Sequence, residues 1–156
     1  MYPFIIIMLI LFIAVVIYSY FEAKNLRYKE YEIKSAKIPE AFDGFKIAFL
    51  SDIHAGITFN RDRLIKLCEN INSHGFDIIL LGGDYVLHHY DTIDFYSIAS
   101  FKAPHGVIGV YGNHDARQGE RDAAINFKNK GWTFLINEGM HINKDNSRIY
   151  ICGVDD

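Results

Sequence analysis

Cysteine is scarce in this 156-residue chain: there are two, Cys68 and Cys152. They lie far apart and lack the paired spacing of a zinc knuckle or a redox dithiol, so neither chemistry is expected of them. Their apolar neighbours mark both as small buried hydrophobes. Strong charge of one sign is also missing. The formal net charge is -3, and acidic and basic residues are mixed rather than blocked. No basic stripe tracks a nucleic-acid backbone, and nucleic acid is not an expected partner. Internal repeats and low-complexity tracts are absent too, which leaves one domain of ordinary size.

What is present in excess is apolar sequence at the amino terminus. From Pro3 to Phe21 the chain reads PFIIIMLILFIAVVIYSYF without a charge. At ~1.5 Å per helical residue that run matches the hydrocarbon thickness of a bilayer. Tyr18 and Tyr20 suit an interfacial belt, and Lys24, Arg27, Lys29, Lys34 and Lys37 follow the run. A cleaved signal peptide would carry its positive charge before the apolar stretch and a small-residue site after it. Neither is there. The expectation is therefore a single-pass anchor over residues 1–21 in the cell membrane, with the remaining chain on the cytoplasmic side by the positive-inside bias. A connector over 22–41 follows, in which Tyr28, Tyr31 and Ile33 suggest a short edge strand ahead of Pro39.

Residues 42–156 have the rhythm of an α/β domain. Apolar runs of strand length at Lys46–Ser51, Asp77–Leu81 and Gly106–Tyr111 alternate with helical stretches. Asn60 caps a helix presenting Leu64, Ile65, Leu67, Cys68 and Ile71 on one face, with Gly75 as its stop. Further helices are expected at Ile93–Phe101 and Gln118–Lys130, and further strands at Trp132–Ile136, His141–Asn143 and Arg148–Cys152. Phe95, Tyr96, Phe101, Phe127, Trp132 and Phe134 read as core. This pattern predicts a parallel-strand βαβαβ core.

The polar clusters fall just past the carboxyl ends of successive strands, the edge of an open α/β sheet where ligands bind. They are Asp52-Ile53-His54, Gly82-Gly83-Asp84 and Gly112-Asn113-His114-Asp115. Each alone is compatible with a plain turn. Together, in order and in register, they supply two carboxylates, an imidazole and a carboxamide. That donor set suits Mn, Fe or Zn and not soft copper. His88 and His89 follow Asp84 and read as a solvated loop.

These three blocks resemble the first three motifs of the calcineurin-like metallophosphoesterase family. Its membrane-anchored bacterial branch, which includes UDP-2,3-diacylglucosamine hydrolases, is the nearest in layout. The resemblance implies the first half of a β-sandwich flanked by helices, and a centre of two divalent metal ions. Asp52 and His54 would hold one ion, Asp84 would bridge, and Asn113 would hold the second. His114 would be a catalytic histidine and not a ligand, with Asp115 orienting its other ring nitrogen. The implied reaction is hydrolysis of a phosphodiester or pyrophosphate bond, with lipid-linked or nucleotide-sugar substrates as candidates. The family also carries a later isolated histidine and a Gly-His-x-His block, and neither is matched here. The expectation is an amino-terminal portion of a longer protein, or a non-catalytic membrane-tethered remnant as the alternative.

Overall fold

The computed structural model describes residues 2–23, 25–56, 59–86 and 95–154, with backbone alone at 2 and 116–122. Two compact units divide the chain, Met1–Ser35 and Ala36–Asp156.

The first unit is dominated by α1 (Tyr2–Glu22), whose apolar side chains from Phe4 to Phe21 are exposed. The stretch Pro3–Glu22 is long and apolar enough to cross a membrane. Residues 25–35 have no regular structure, and Leu26, Tyr28, Tyr31 and Ile33 are exposed. The edge strand expected at Tyr28–Ile33 does not form. A strand needs a neighbour for its backbone groups, and no strand occurs among the described residues of this unit.

The second unit opens with a 3-10 turn at Glu40–Phe42 and builds a four-stranded parallel sheet. Its strands are β1 (Ile47–Leu50), β2 (Ile78–Leu81), β3 (Val107–Gly109) and β4 (Thr133–Phe134), in that spatial order. The register aligns Ile47 with Ile78, Ile79 with Val107 and Ile108 with Thr133. The crossovers carry α2 (Arg61–Ser73), α3 (Phe95–Ile98) and α4 (Asn113–Asn129). The expected parallel βαβαβ core is therefore present, with every strand shorter than its apolar run.

Alternation along the strands splits the interior in two. Ala48, Ile79, Leu81 and Val107 face one way, onto Leu64, Leu67, Cys68 and Ile71 of α2, Phe95 of α3 and Phe127 of α4. Ile78 and Ile108 face the other way and pack with Phe42, Leu135 and Ile142. This second face is covered by the antiparallel hairpin of β5 (Glu138–Lys144) and β6 (Ser147–Gly153), turning at Asp145 and Asn146, both at positive φ.

Four expectations change in detail. Of the helix read over Ile93–Phe101, the part within the described residues is helical only at Phe95–Ile98. The helix read from Gln118 begins five residues earlier, at Asn113. Its start is set by Gly112, whose N–H donates to the Asp115 carboxylate at 3.1 Å, so the polar motif itself forms the first turn. On α2 the Asn60 cap holds, accepting from the Arg63 N–H, and Gly75 follows the helix at φ +65°. Ile65 of that helix is exposed, lying off the stripe of its neighbours. Cys152, read as buried, is exposed on the outer face of β6, whereas Cys68 is buried.

Candidate metal centre

The loops after β1 and β2 run side by side. The Asp52 N–H donates to Gly83 O, His54 N–H to Asp84 O at 2.9 Å, and Ala55 N–H to Tyr85 O at 2.8 Å. These bonds hold Asp52, His54 and Asp84 at φ values of 56°, 45° and 55°. Left-handed backbone at a residue with a Cβ costs about 1–2 kcal/mol, and such strain concentrates at functional sites. Three of the candidate residues are therefore held in conformations that the hydrogen-bonded loops must maintain.

The result is a convergence of donors. Nε2 of His54 lies 3.7 Å from Asp52 Oδ1 and 3.8 Å from Asp84 Oδ2. His54, Asp84 and His114 bring one potential ligand atom each within 4.8 Å of one another. The two imidazole rings stand edge to face, 4.8 Å between centroids. Asp84 is nearly buried, and its Oδ1 accepts the His114 backbone N–H at 2.9 Å. The Asp52 side chain is 66% exposed, with Ser51 Oγ hydrogen-bonded to its Oδ2.

The donors fit a divalent cation. Separations of 3.7 and 3.8 Å exceed a hydrogen bond. Two ligands ~2.1 Å from one ion at a tetrahedral angle stand roughly 3.4 Å apart, close to that spacing. Nδ1 of His54 is buried and has no hydrogen-bond partner among the described residues. That ring is thus positioned by packing and by its backbone, with Nε2 turned to both carboxylates.

Room for Asp84 comes from glycine. A Cβ on Gly112 would stand 2.2 Å from Asp84 Oδ1, and one on Gly83 would stand 2.3 Å from Gly112 N. The loops after β2 and β3 thus meet backbone to backbone. In sequence these glycines look like ordinary turn residues; their close approach is visible only in three dimensions.

Asn113 is the first residue of α4 and is exposed. Asp115, on the same turn, is only 4% exposed. Its Oδ2 accepts the N–H groups of Asp84 at 2.7 Å and Gly112 at 3.1 Å, and its Oδ1 that of Tyr85 at 3.1 Å. Burial pushes its carboxyl pKa up, the three N–H donors pull it down, and the charge of Asp84 adds to the rise. The family resemblance implied that Asp115 orients the His114 ring; the bonds described for its carboxylate run instead to these three backbone N–H groups. Tyr85 packs into the core: it is fully buried and its hydroxyl donates to Val110 O at 2.6 Å, with Leu81 O at 3.1 Å. Burial raises its pKa well above the ordinary phenol value, with the Asp115 charge acting the same way. His88 and His89 lie outside the described residues.

A parallel sheet with Asp-x-His, Gly-Asp and Gly-Asn-His-Asp at successive strand ends defines an α/β phosphoesterase-type domain. The calcineurin-like phosphoesterase family matches residues 45–153, and the chain belongs to that family. Among curated relatives, the uncharacterized metallophosphoesterase YkuE of Bacillus subtilis (strain 168) is 35% identical over 102 residues, 62% of this chain and 35% of its own length. An uncharacterized metallophosphoesterase of Aquifex aeolicus is 30% identical over 150 residues, 94% of this chain and 56% of the relative. The phosphodiesterase YaeI of Escherichia coli K12 is 31% identical over 123 residues, 72% of this chain and 44% of the relative. The chain thus spans between about a third and just over half of these relatives. No solved structure matches it.

Proposed function

We propose that this chain carries part of a metal-dependent phosphoester hydrolase, with Asp52, His54, Asp84 and Asn113 as ligands and His114 as the catalytic histidine. The observation that carries the reading is the convergence of His54 Nε2 on both Asp52 and Asp84 at 3.7 and 3.8 Å. Membership of the family supports hydrolysis of a phosphoester in general. Divalent ions bound there would lower the pKa of a water molecule and neutralise phosphate charge.

The chain's own residues account for the remaining requirements. Asp84, with Oδ1 held by the His114 N–H, keeps Oδ2 free toward His54 and is the natural bridging carboxylate. His114 stands at the start of α4 beside His54, partly exposed, where its ring can donate a proton to a leaving oxygen. Four donors satisfy one ion; a second ion sharing Asp84 needs donors beyond these four. The substrate class we favour is a lipid-linked or nucleotide-sugar phosphodiester or pyrophosphate, because an anchor at Pro3–Phe21 would hold the site beside the membrane, on the cytoplasmic side. The layout of the UDP-2,3-diacylglucosamine hydrolase branch agrees with that choice.

The test is hydrolysis of a generic aryl phosphodiester by the full chain in detergent micelles with added Mn(II). Manganese-dependent turnover that disappears in Asp84→Asn is the expected result. No turnover, or turnover indifferent to Asp84→Asn, overturns the hydrolase reading. Calorimetric metal stoichiometry then distinguishes a working two-ion centre from a remnant holding one ion.

A further inference from the structure

The Asp115 carboxylate is nearly buried, yet its hydrogen bonds join three backbone positions on two loops. Gly112 N–H lies after β3, whereas Asp84 N–H and Tyr85 N–H lie after β2. One of those positions is the backbone of the proposed bridging ligand, held at φ 55°. In return Asp84 Oδ1 accepts the His114 N–H, one residue from Asp115. The two aspartates therefore clasp each other's loops reciprocally, each carboxylate on the other's backbone side. Gly112 lies between them with no space for a Cβ.

Such a clasp differs from ordinary stabilisation in its target. Hydrogen bonds to a charged acceptor contribute about 1.5–3 kcal/mol each. Two of these three fall on Asp84 and its successor, and they add to the His54 N–H bond to Asp84 O in holding that backbone in the left-handed region. Relaxation would swing the Asp84 carboxylate away from His54 Nε2. Tyr85 offers the contrast: its hydroxyl joins Leu81 O of β2 to Val110 O, just after β3, without touching the Asp84 backbone.

We infer that Asp115 is a positioning residue for metal binding: it sets the Asp84 carboxylate in its ligating orientation before the ion arrives, and acts through Asp84 rather than on substrate. This rests on the metal-site reading above.

The test titrates Mn(II) alone into the full chain in detergent micelles, by calorimetry and by the Mn(II) electron paramagnetic resonance signal. It compares the unsubstituted protein with Asp115→Asn, Asp115→Glu and Tyr85→Phe, each also followed by urea unfolding. In Asp115→Asn the amide nitrogen must oppose at least one of the three N–H donors. Mn(II) affinity is expected to fall at least tenfold in the folded protein with an altered resonance signal, and to be largely restored in Asp115→Glu. Tyr85→Phe is expected to lose stability while keeping its Mn(II) affinity within about twofold. Equal affinity in folded Asp115→Asn and the unsubstituted chain overturns the inference while leaving the metal site intact. Should Asp115→Asn not fold, Asp115→Ser, which removes one of the two acceptor oxygens, takes its place, and an unchanged Mn(II) affinity in that folded variant overturns the inference equally. No Mn(II) binding by the unsubstituted chain overturns the metal reading itself, and this inference with it.

Discussion

Replacing Gly112 by alanine tests how tightly the candidate centre is built. Gly112 has φ -112° and ψ 172°, extended backbone open to any residue, so alanine meets no dihedral penalty there. The whole effect is steric. The new Cβ would stand 2.2 Å from Asp84 Oδ1, 2.5 Å from Asp84 N and 2.7 Å from Asp84 Cγ. Ordinary contacts begin at roughly 3.5 Å, so the Asp84 side chain or the loop must yield by about 1 Å. Overpacking of this kind costs about 1–3 kcal/mol, and loss of the His114 N–H bond to the charged Oδ1 adds a further share. We expect a net loss of about 2–4 kcal/mol, since the two terms overlap.

The assay is urea unfolding of the full chain in micelles, followed by fluorescence of Trp132, the single tryptophan. With a urea slope of ~2 kcal/mol per molar, the midpoint should fall by about 1–2 M. Gly44→Ala is the control: Gly44 has φ +69° and nothing within 4 Å of its missing Cβ, so only the backbone penalty of about 1 kcal/mol applies. A Gly112→Ala protein no less stable than Gly44→Ala refutes the close approach of the two loops.

Asn60→Ala removes the side-chain acceptor for the Arg63 N–H and should cost about 1 kcal/mol, read as a lower thermal midpoint. Phe127→Ala empties a fully buried ring site beside Tyr85 and Trp132 and should cost about 3–5 kcal/mol, whereas Phe49→Ser, at a side chain 69% exposed, should cost far less. Iodoacetamide at neutral pH should modify the exposed Cys152 and spare the buried Cys68, whose thiol pKa is raised by burial; mass spectrometry of peptides reads the difference. Because the folded state holds the Cys68 proton more tightly than the unfolded chain, its contribution to stability is intact below the ordinary thiol pKa and is lost as pH rises above it. Cys68→Ala should therefore lessen the drop in urea midpoint between pH 8 and pH 10.

Much of the layout was legible because local pattern and burial agree. The short apolar runs ending in polar clusters became β1, β2 and β3, and Asn60 and Gly75 bounded α2 as capping chemistry requires. Helix boundaries failed where a motif served two purposes. Gly112 to Asp115 reads as a ligand loop, yet it is also the first turn of α4, because Asp115 reaches back to the Gly112 N–H. Cys152 failed for a different reason: in a two-stranded hairpin packed on one side, every second residue faces solvent whatever its polarity.

From the sequence alone came the donor types, their order along the chain and their places at successive strand ends, because these depend on periodicity and residue chemistry. Only the tertiary structure decided which of them meet. His54 faces Asp52 and Asp84 because parallel loops hydrogen-bond them into left-handed backbone, and Asp84 rests on Gly112 because two glycines let those loops touch. Asp115, one more acid in the motif when read as text, binds three backbone N–H groups from chain segments some thirty residues apart, a distance that only folding closes.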